Sequence, residues 1–150
     1  MIPWREKCPT TLEGMLPACL VLFTTICIAG CGSIHVALKP EGGFSREKTI
    51  QIVAEHGDPA GLKGKLEGEF RQKGFTVVST ADVPPEYELR FRYFYDPVAG
   101  DILSFSAEIV RVRTKEVVGV AASDGVSTAG AIADGVATKI AEKVAMGTSN

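Results

Sequence analysis

Hydrophobic residues recur along the chain with two periods, one typical of strands and one typical of helices. The clearest strand pattern is Tyr87 to Tyr95, where aromatic or aliphatic residues occupy every second position and Glu88, Arg90 and Arg92 lie between them. Shorter stretches predict four further strands, over 48–55, 75–79, 102–113 and 117–123. Within 102–113 the apolar positions change phase after Ile109, which predicts a β-bulge or burial on both faces.

Two stretches have helical spacing. In the first, an apolar residue occurs every four positions, at Leu62, Leu66 and Phe70. Asp58 is its predicted N-cap, Pro59 its first helical residue, and Gly74 its end. The second helix is predicted from about Ala129 to Met146, with the same spacing of Ile132, Val136, Ile140 and Val144.

Glycines interrupt the first predicted helix at Gly61, Gly64 and Gly68. Each lowers helix propensity by up to about 1 kcal/mol, so their presence needs a reason. We expect close packing of the helix on a sheet. A phosphate-binding loop is disfavoured because it would precede the helix and end in Lys-Ser or Lys-Thr.

The element order is therefore β-α-β-β-β-β-α, with a turn expected at 123–130. This order predicts a single α+β domain of two layers, in which both helices cover one face of a mostly antiparallel sheet. We expect the domain to span 48–147. Residues 31–47 contain Pro40, Gly42 and Gly43 and are interpreted as a tether, although the alternation of Ile34, Val36 and Leu38 would also suit a short docked strand.

Near the start of the chain, Leu16 to Ala29 is an uncharged apolar run that follows Arg5 and Lys7. As a helix it would span about 21 Å, whereas a bilayer core is about 30 Å thick and needs roughly 20 residues. The length is instead typical of the apolar region of a secretory signal.

The run ends in Ile28-Ala29-Gly30-Cys31, an aliphatic residue, two small residues and a cysteine. This motif resembles the lipobox of bacterial lipoproteins. The resemblance implies cleavage between Gly30 and Cys31, a thioether-linked diacylglycerol on the Cys31 sulfur, and acylation, as with palmitate, of its new amino group. Residues 1–30 would then be a lipoprotein signal peptide. The alternatives are an ordinary signal peptide, an uncleaved anchor, or a start at Met15, which would leave no basic residue before the run.

Composition excludes several classes of function. The chain has 16 Lys plus Arg against 18 Asp plus Glu, which offers no general attraction for nucleic acid. All four cysteines lie in the first 31 residues, and the only histidines are His35 and His56. We therefore expect no zinc site, no disulfide framework and no cofactor.

An enzyme would need converging polar groups. The aspartates at Asp96, Asp101, Asp124 and Asp134 fall at predicted turns or in a helix, where Asp usually caps or turns the chain. Ser104, Ser106 and Ser123 lack the Gly-x-Ser-x-Gly context of a nucleophile. We therefore assign no catalytic residue, and His56 is interpreted as a solvated turn residue.

A candidate partner surface lies on the strand predicted over Tyr87 to Tyr95. Phe94 falls on the face of Arg90 and Arg92, opposite to the other aromatic residues. An exposed ring beside two cations could bind a partner or stack on a ligand. The simpler expectation is that a loop or the tether covers Phe94.

The element order and the stretch from Tyr87 also resemble small envelope lipoproteins of unassigned function, and loosely the N-terminal domains of envelope adaptor proteins. Together these features predict a non-enzymatic, lipid-anchored cell-envelope protein that binds another envelope protein. Because Gly32 is not the Asp that retains many lipoproteins at the inner membrane, we expect the periplasmic face of the outer membrane. The alternatives are a lipid-anchored envelope hydrolase and a soluble periplasmic binding protein.

Overall fold

The structure, a computed structural model, describes residues 32–79 and 83–147. The predicted signal peptide and Cys31 lie outside these described residues. Within them are six strands, and their bounds are β1 (Ser33–Leu38), β2 (Thr49–Ala54), β3 (Thr76–Val77), β4 (Tyr87–Asp96), β5 (Asp101–Arg111) and β6 (Glu116–Ser127). Two α-helices, α1 (Leu62–Gln72) and α2 (Ala129–Gly147), complete the fold.

The strands form one mixed sheet in the order β1-β6-β5-β4-β2-β3. The pairs β1–β6, β6–β5 and β5–β4 are antiparallel, whereas β2 pairs in parallel with both β4 and β3. Both helices pack on the same face and share one hydrophobic core with it. The predicted α+β class, two-layer arrangement and element order are confirmed, with β1 added before the first predicted strand.

The core is formed by the residues that the periodicities select. Leu62, Leu66 and Phe70 of α1 and Ile132, Val136 and Ile140 of α2 are essentially inaccessible to solvent. They pack against alternate residues of the strands, among them Ile52, Leu89, Phe91 and Ile109. Each fully buried aliphatic or phenylalanine side chain contributes roughly 1.5–3 kcal/mol, which makes this interface the main source of stability.

Residues 33–47, which the sequence analysis interprets as a tether, belong to the folded domain. β1 pairs with β6 over its whole length and turns Ile34, Val36 and Leu38 toward the core. A 3₁₀ turn, Pro40–Gly42, follows; its Gly42 carbonyl accepts hydrogen bonds from the Tyr87 hydroxyl at 2.9 Å and from Arg111 Nη2 at 2.5 Å. The tether interpretation is wrong because the local Pro and Gly residues form an ordered turn between two strands, and the alternation before them is that of a docked strand.

The start of α1 differs from the prediction. The helix begins at Leu62, so Pro59 precedes it rather than occupying its first position. Gly61, and not Asp58, occupies the N-cap position, but the Asp58 side chain still caps the helix: its two carboxylate oxygens accept hydrogen bonds from the backbone N–H groups of Leu62 and Lys63, at 2.7 and 2.8 Å. The helix ends as expected at Gly74, whose φ of 85° is left-handed.

The glycines inside α1 do not serve close packing. A Cβ placed on Gly64 or Gly68 would meet no heavy atom within 4 Å, so both positions are open to larger side chains. The expectation of tight helix–sheet contact there is wrong. Gly61 is different because its φ of 64° lies in the left-handed region that favours glycine.

The predicted irregularity in β5 is confirmed as a register shift between Ile109 and Val110 against β6. β6 is longer than predicted, because it continues through the expected turn to Ser127. Pairing with β1 on one side and β5 on the other holds Asp124 in the sheet against its local turn preference. No helix among residues 32–79 and 83–147 is long and apolar enough to cross a membrane.

Candidate functional site

The face of the sheet opposite the helices is the natural place to look for a site, because no described element covers it. Strand alternation puts Arg90, Arg92 and Phe94 of β4 on this open face, as predicted, while Phe91 and Tyr93 point toward the helices. Opposite these residues on β5 lie Glu108, Ser106 and Ser104. The candidate residues are therefore gathered along one strand of an uncovered surface.

A groove of about 330 Å³ crosses the middle of the open face. Its depth follows from small residues, since Ser106 and Ala122 present short side chains to this face between longer neighbours, and the backbone of Ala107 and Ala121 forms part of the floor. We call this feature the Arg92 groove. Its remaining lining residues are Glu55, Arg90, Arg92, Glu108 and Val120.

The two arginines of the groove are not equivalent. Arg90 forms a two-pronged contact with Glu88, with Nε and Nη2 at 2.8 and 2.6 Å from Oε2. Arg92 donates one hydrogen bond from Nε to Ser106 Oγ at 3.1 Å, and no carboxylate of the described chain lies within ion-pair distance of it. Arg92 is therefore the cation that remains available to an incoming acceptor, whereas the charge of Arg90 is already compensated.

Arg92 also borders a second depression of about 390 Å³, which we call the Phe94 cleft. Its walls are the β2–α1 loop, through His56, Gly57 and Pro59, and the end of β4 with Pro97. Phe94 is 75% exposed, so neither a loop nor residues 32–47 cover it. The expectation that the ring is covered is wrong, because β1 docks three strands away, on the far side of β6.

The cleft exists because β4 is longer than the strand beside it. β2 pairs with β4 only as far as Phe91, whose carbonyl accepts the Glu55 N–H at 2.9 Å. Backbone groups alternate in direction along a strand, so those of Tyr93 and Tyr95 also point to this side, where no described strand pairs with them. The cleft thus combines an unpaired strand edge, an exposed aromatic ring and an available arginine.

The wall of the cleft is stiffened by a hydrogen-bond network. The Tyr93 hydroxyl donates to Asp58 Oδ1 at 2.7 Å and accepts from the Ala60 N–H at 3.0 Å. Burial, together with the Asp58 carboxylate, raises the pKa of Tyr93 to about 12, so the phenol stays protonated and keeps donating. Since Asp58 also caps α1, this network joins the helix to β4 and fixes the loop between them.

The carboxylates considered for catalysis do not converge on these depressions. Asp96 binds the backbone N–H groups of Val98 and Ala99 in the β4–β5 turn, at 2.9 and 3.3 Å, and pairs with Asp101 across the hairpin. Asp124 lies on β6 opposite Ser104, and Asp134 in α2 accepts a hydrogen bond from Thr138. None of the four lines the Arg92 groove or the Phe94 cleft. Among the described residues, no three His, Cys, Asp or Glu side chains could hold a metal ion together.

Sequence reasoning located the arginines and Phe94 but missed the other half of the site. The β2–α1 loop and the Asp58–Tyr93 bond join residues far apart in the chain, and no spacing rule connects them. The available signal was the length of the β4 pattern, which exceeds that of the strand predicted at 48–55. A long strand beside a shorter one leaves an unpaired edge.

Comparison with known proteins gives only weak structural similarity. No family model and no curated protein matches the chain. Among solved structures, the PelC dodecamer from Paraburkholderia phytofirmans is 18% identical, with a TM-score of 0.46, over 77% of this chain and 96% of that one. A single-residue variant of the same PelC is 19% identical, with a TM-score of 0.47, over 77% and 95% of the two chains. Similarity at this level carries no argument about function.

Proposed function

We propose that the chain is a lipid-anchored protein of the bacterial cell envelope that binds an extended segment of another envelope protein without catalysing a reaction. The anchor rests on the resemblance of Ile28-Ala29-Gly30-Cys31 to a lipobox at the end of an apolar run. The binding role rests on the Phe94 cleft and the adjoining Arg92 groove. The observation that carries it is the exposed Phe94 ring beside an unpaired strand edge.

An extended peptide suits this geometry. It would lie along Tyr93 to Tyr95 in the place where β2 stops, and add main-chain hydrogen bonds to the sheet as in other cases of strand addition. Phe94 and Pro97 would contact its apolar side chains. Arg92 would bind an acidic side chain or a carbonyl, because no described carboxylate neutralises it.

The anchor is tested by metabolic fatty-acid labelling of cysteine variants. Cys31→Ala is expected to lose the label and to accumulate as the uncleaved precursor. Cys27→Ala is the matched control, since it removes a cysteine of the same apolar run and should keep the label. A label retained by Cys31→Ala would contradict the anchor, and a cleaved but unlabelled wild-type chain would favour the soluble periplasmic alternative.

The expected outer-membrane location can be tested at Gly32 with one precaution. A Cβ at Gly32 would lie 2.5 Å from the Asp124 carbonyl oxygen, so any side chain there displaces the start of β1. Gly32→Ala therefore serves as the control for Gly32→Asp. We expect the Asp variant alone to move to inner-membrane fractions on a density gradient; equal behaviour of both variants would contradict retention by this position.

Partner binding is tested by a photo-crosslinking amino acid placed in intact cells at position 94 or 120, both exposed on the open face. Both sites are expected to capture the same protein. Met146, exposed at the end of α2, is the control position and should not capture it. Capture of one species from all three positions would contradict a site on the open face. Phe94→Ala should reduce capture from position 120, since it removes the main apolar contact.

A further inference from the structure

Exposed aliphatic side chains gather at one end of the sheet. Val98 in the β4–β5 turn is 95% exposed, Val126 near the end of β6 is 54% exposed, and Leu103 in β5 is 44% exposed. We call these three residues the apolar end. Single exposed hydrophobic residues are ordinary, but these three lie on neighbouring segments.

The described chain begins at this same end. Ser33 pairs with Asp124, Asp124 with Ser104, and Ser104 with Phe94, so these four residues form one row across the sheet. Gly32 is one step beyond the row and packs against Asp124 and Gly125 of β6, directly before Val126. Strands are spaced about 4.8 Å apart, which places Gly32 within roughly 15 Å of the β4–β5 hairpin.

The position of Gly32 matters because β1 begins at the next residue, Ser33. Cys31 is the residue before Gly32, and consecutive Cα atoms are about 3.8 Å apart. Acyl chains attached to Cys31 would therefore hold the Gly32 end of the sheet at the bilayer and point the opposite end away. The residues that the sequence analysis interprets as a tether form β1 and the Pro40–Gly42 turn, so they would not let the domain stand away from the membrane.

We propose that the apolar end is a second membrane contact, in which Val98, Leu103 and Val126 enter the interfacial region of a zwitterionic phospholipid bilayer. The inference rests on the proposed acylation of Cys31. Apolar side chains held at a bilayer by acyl chains add to the binding through the area that they bury.

The charges at this end select the type of lipid. No Lys or Arg occurs in residues 93–110 or 117–138, whereas Asp96, Asp101 and Asp124 all lie there. The nearest cations of the described chain lie outside this end: Arg92 precedes Phe94 by two residues and lines the Arg92 groove, and Lys139 donates to the Ile34 carbonyl. At the apolar end itself, anionic headgroups would therefore meet carboxylates and be repelled by them.

The contact would also orient the candidate site. β4 runs from Tyr87 toward Asp96, so its last residues would face the bilayer and the strands would stand upright on it. The Arg92 groove would then open sideways, parallel to the membrane, and the Phe94 cleft would lie just above the headgroups. A partner segment would have to approach from the periplasmic space along the membrane surface.

Tryptophan fluorescence tests the contact, because the only tryptophan is Trp4, which signal cleavage removes. Val98→Trp and Val126→Trp place a reporter at the apolar end. Val83→Trp is the matched control, since Val83 is 49% exposed and precedes β4 at the opposite end of the sheet. Each purified acylated protein is reconstituted into phosphatidylcholine vesicles whose acyl chains carry bromine near the headgroup, and its intact mass is measured.

We expect the fluorescence of the Val98→Trp and Val126→Trp variants to be quenched several-fold more than that of Val83→Trp, and their emission to shift to shorter wavelength. Replacing a third of the lipid by phosphatidylglycerol at low salt should reduce this quenching. Equal quenching of all three variants in a protein of acylated mass would overturn the inference alone. A mass equal to that of the bare polypeptide would overturn the proposed anchor and the inference with it. Stronger quenching in the anionic vesicles would overturn the assignment to zwitterionic lipid.

Discussion

Replacing Asp58 by alanine removes the interaction that joins α1 to β4. Two losses follow: the cap on the Leu62 and Lys63 N–H groups, and the acceptor of the Tyr93 hydroxyl. An N-cap contributes about 1 kcal/mol. A hydrogen bond to a charged group contributes about 1.5–3 kcal/mol, and we take the lower value because Asp58 is only partly buried. The expected loss in the free energy of unfolding is about 2.5 kcal/mol, or a Tm lower by about 10 °C for a domain of this size.

A double-mutant cycle separates the two contributions. Tyr93→Phe keeps the cap and removes only the hydroxyl, so we expect a loss of about 1.5 kcal/mol. In the double variant the hydroxyl bond is removed once and not twice, which predicts a coupling energy of about 1.5 kcal/mol, equal to the contribution of that bond. The assay is urea unfolding of the purified protein followed by circular dichroism. Tyr95→Phe, on the same strand and face, is the matched control and should cost less than about 0.5 kcal/mol, since no partner of its hydroxyl occurs in the described chain.

Two outcomes would refute this reasoning. Strict additivity of the Asp58 and Tyr93 changes would show that the side chains do not interact in solution. A Tyr95→Phe loss as large as that of Tyr93→Phe would show that burial of the rings, and not the network, sets the cost. In either case the wall of the Phe94 cleft would lack the stiffness that we attribute to it.

Three further predictions concern single residues. Burial raises the pKa of Tyr93 to about 12 in the folded protein from about 10 in the unfolded chain, so the stability that its hydroxyl contributes is complete below pH 10 and is lost between pH 10 and 12. Absorbance at 295 nm should show a tyrosine ionisation near pH 12 that Tyr93→Phe removes, and a variant that retains this step would contradict the assignment. Gly64→Ala and Gly68→Ala should each raise the free energy of unfolding by about 0.5–1 kcal/mol, because a Cβ at either position meets nothing within 4 Å. Gly61→Ala should lower the free energy of unfolding, because Gly61 has a left-handed φ of 64°. A loss of stability at all three positions in chemical denaturation would contradict the open surroundings of Gly64 and Gly68. Ser123 is 1% exposed, and its Oγ has no hydrogen-bond partner among the described residues. Ser123→Ala should therefore stabilise the domain by about 1 kcal/mol in the same assay. A loss of stability would show that the hydroxyl is hydrogen-bonded in solution.

The candidate site was predictable only in part. Alternation along β4 put Arg90, Arg92 and Phe94 on one face, because the direction of a strand side chain depends only on its position in the chain. The same rule could not say whether anything covers that face. Coverage depends on where β1 docks. The Pro and Gly residues of the segment 31–47 predict a tether, and only the pairing of β1 with β6 shows that the segment is folded.

The sequence by itself determined which faces of α1, α2 and β4 are buried and roughly where most elements run, β1 excepted. Apolar residues recur every four positions in α1 and α2 and every two positions in β4. These spacings are local consequences of helix and strand geometry, so they do not depend on how the elements are arranged in the fold. Strand order, the position of Gly32 at the same end of the sheet as the exposed Val98 and Val126, and the Phe94 cleft were decided only by the tertiary structure. Each depends on contacts between residues distant in the chain, whose energies are set by the assembled sheet and not by any single segment.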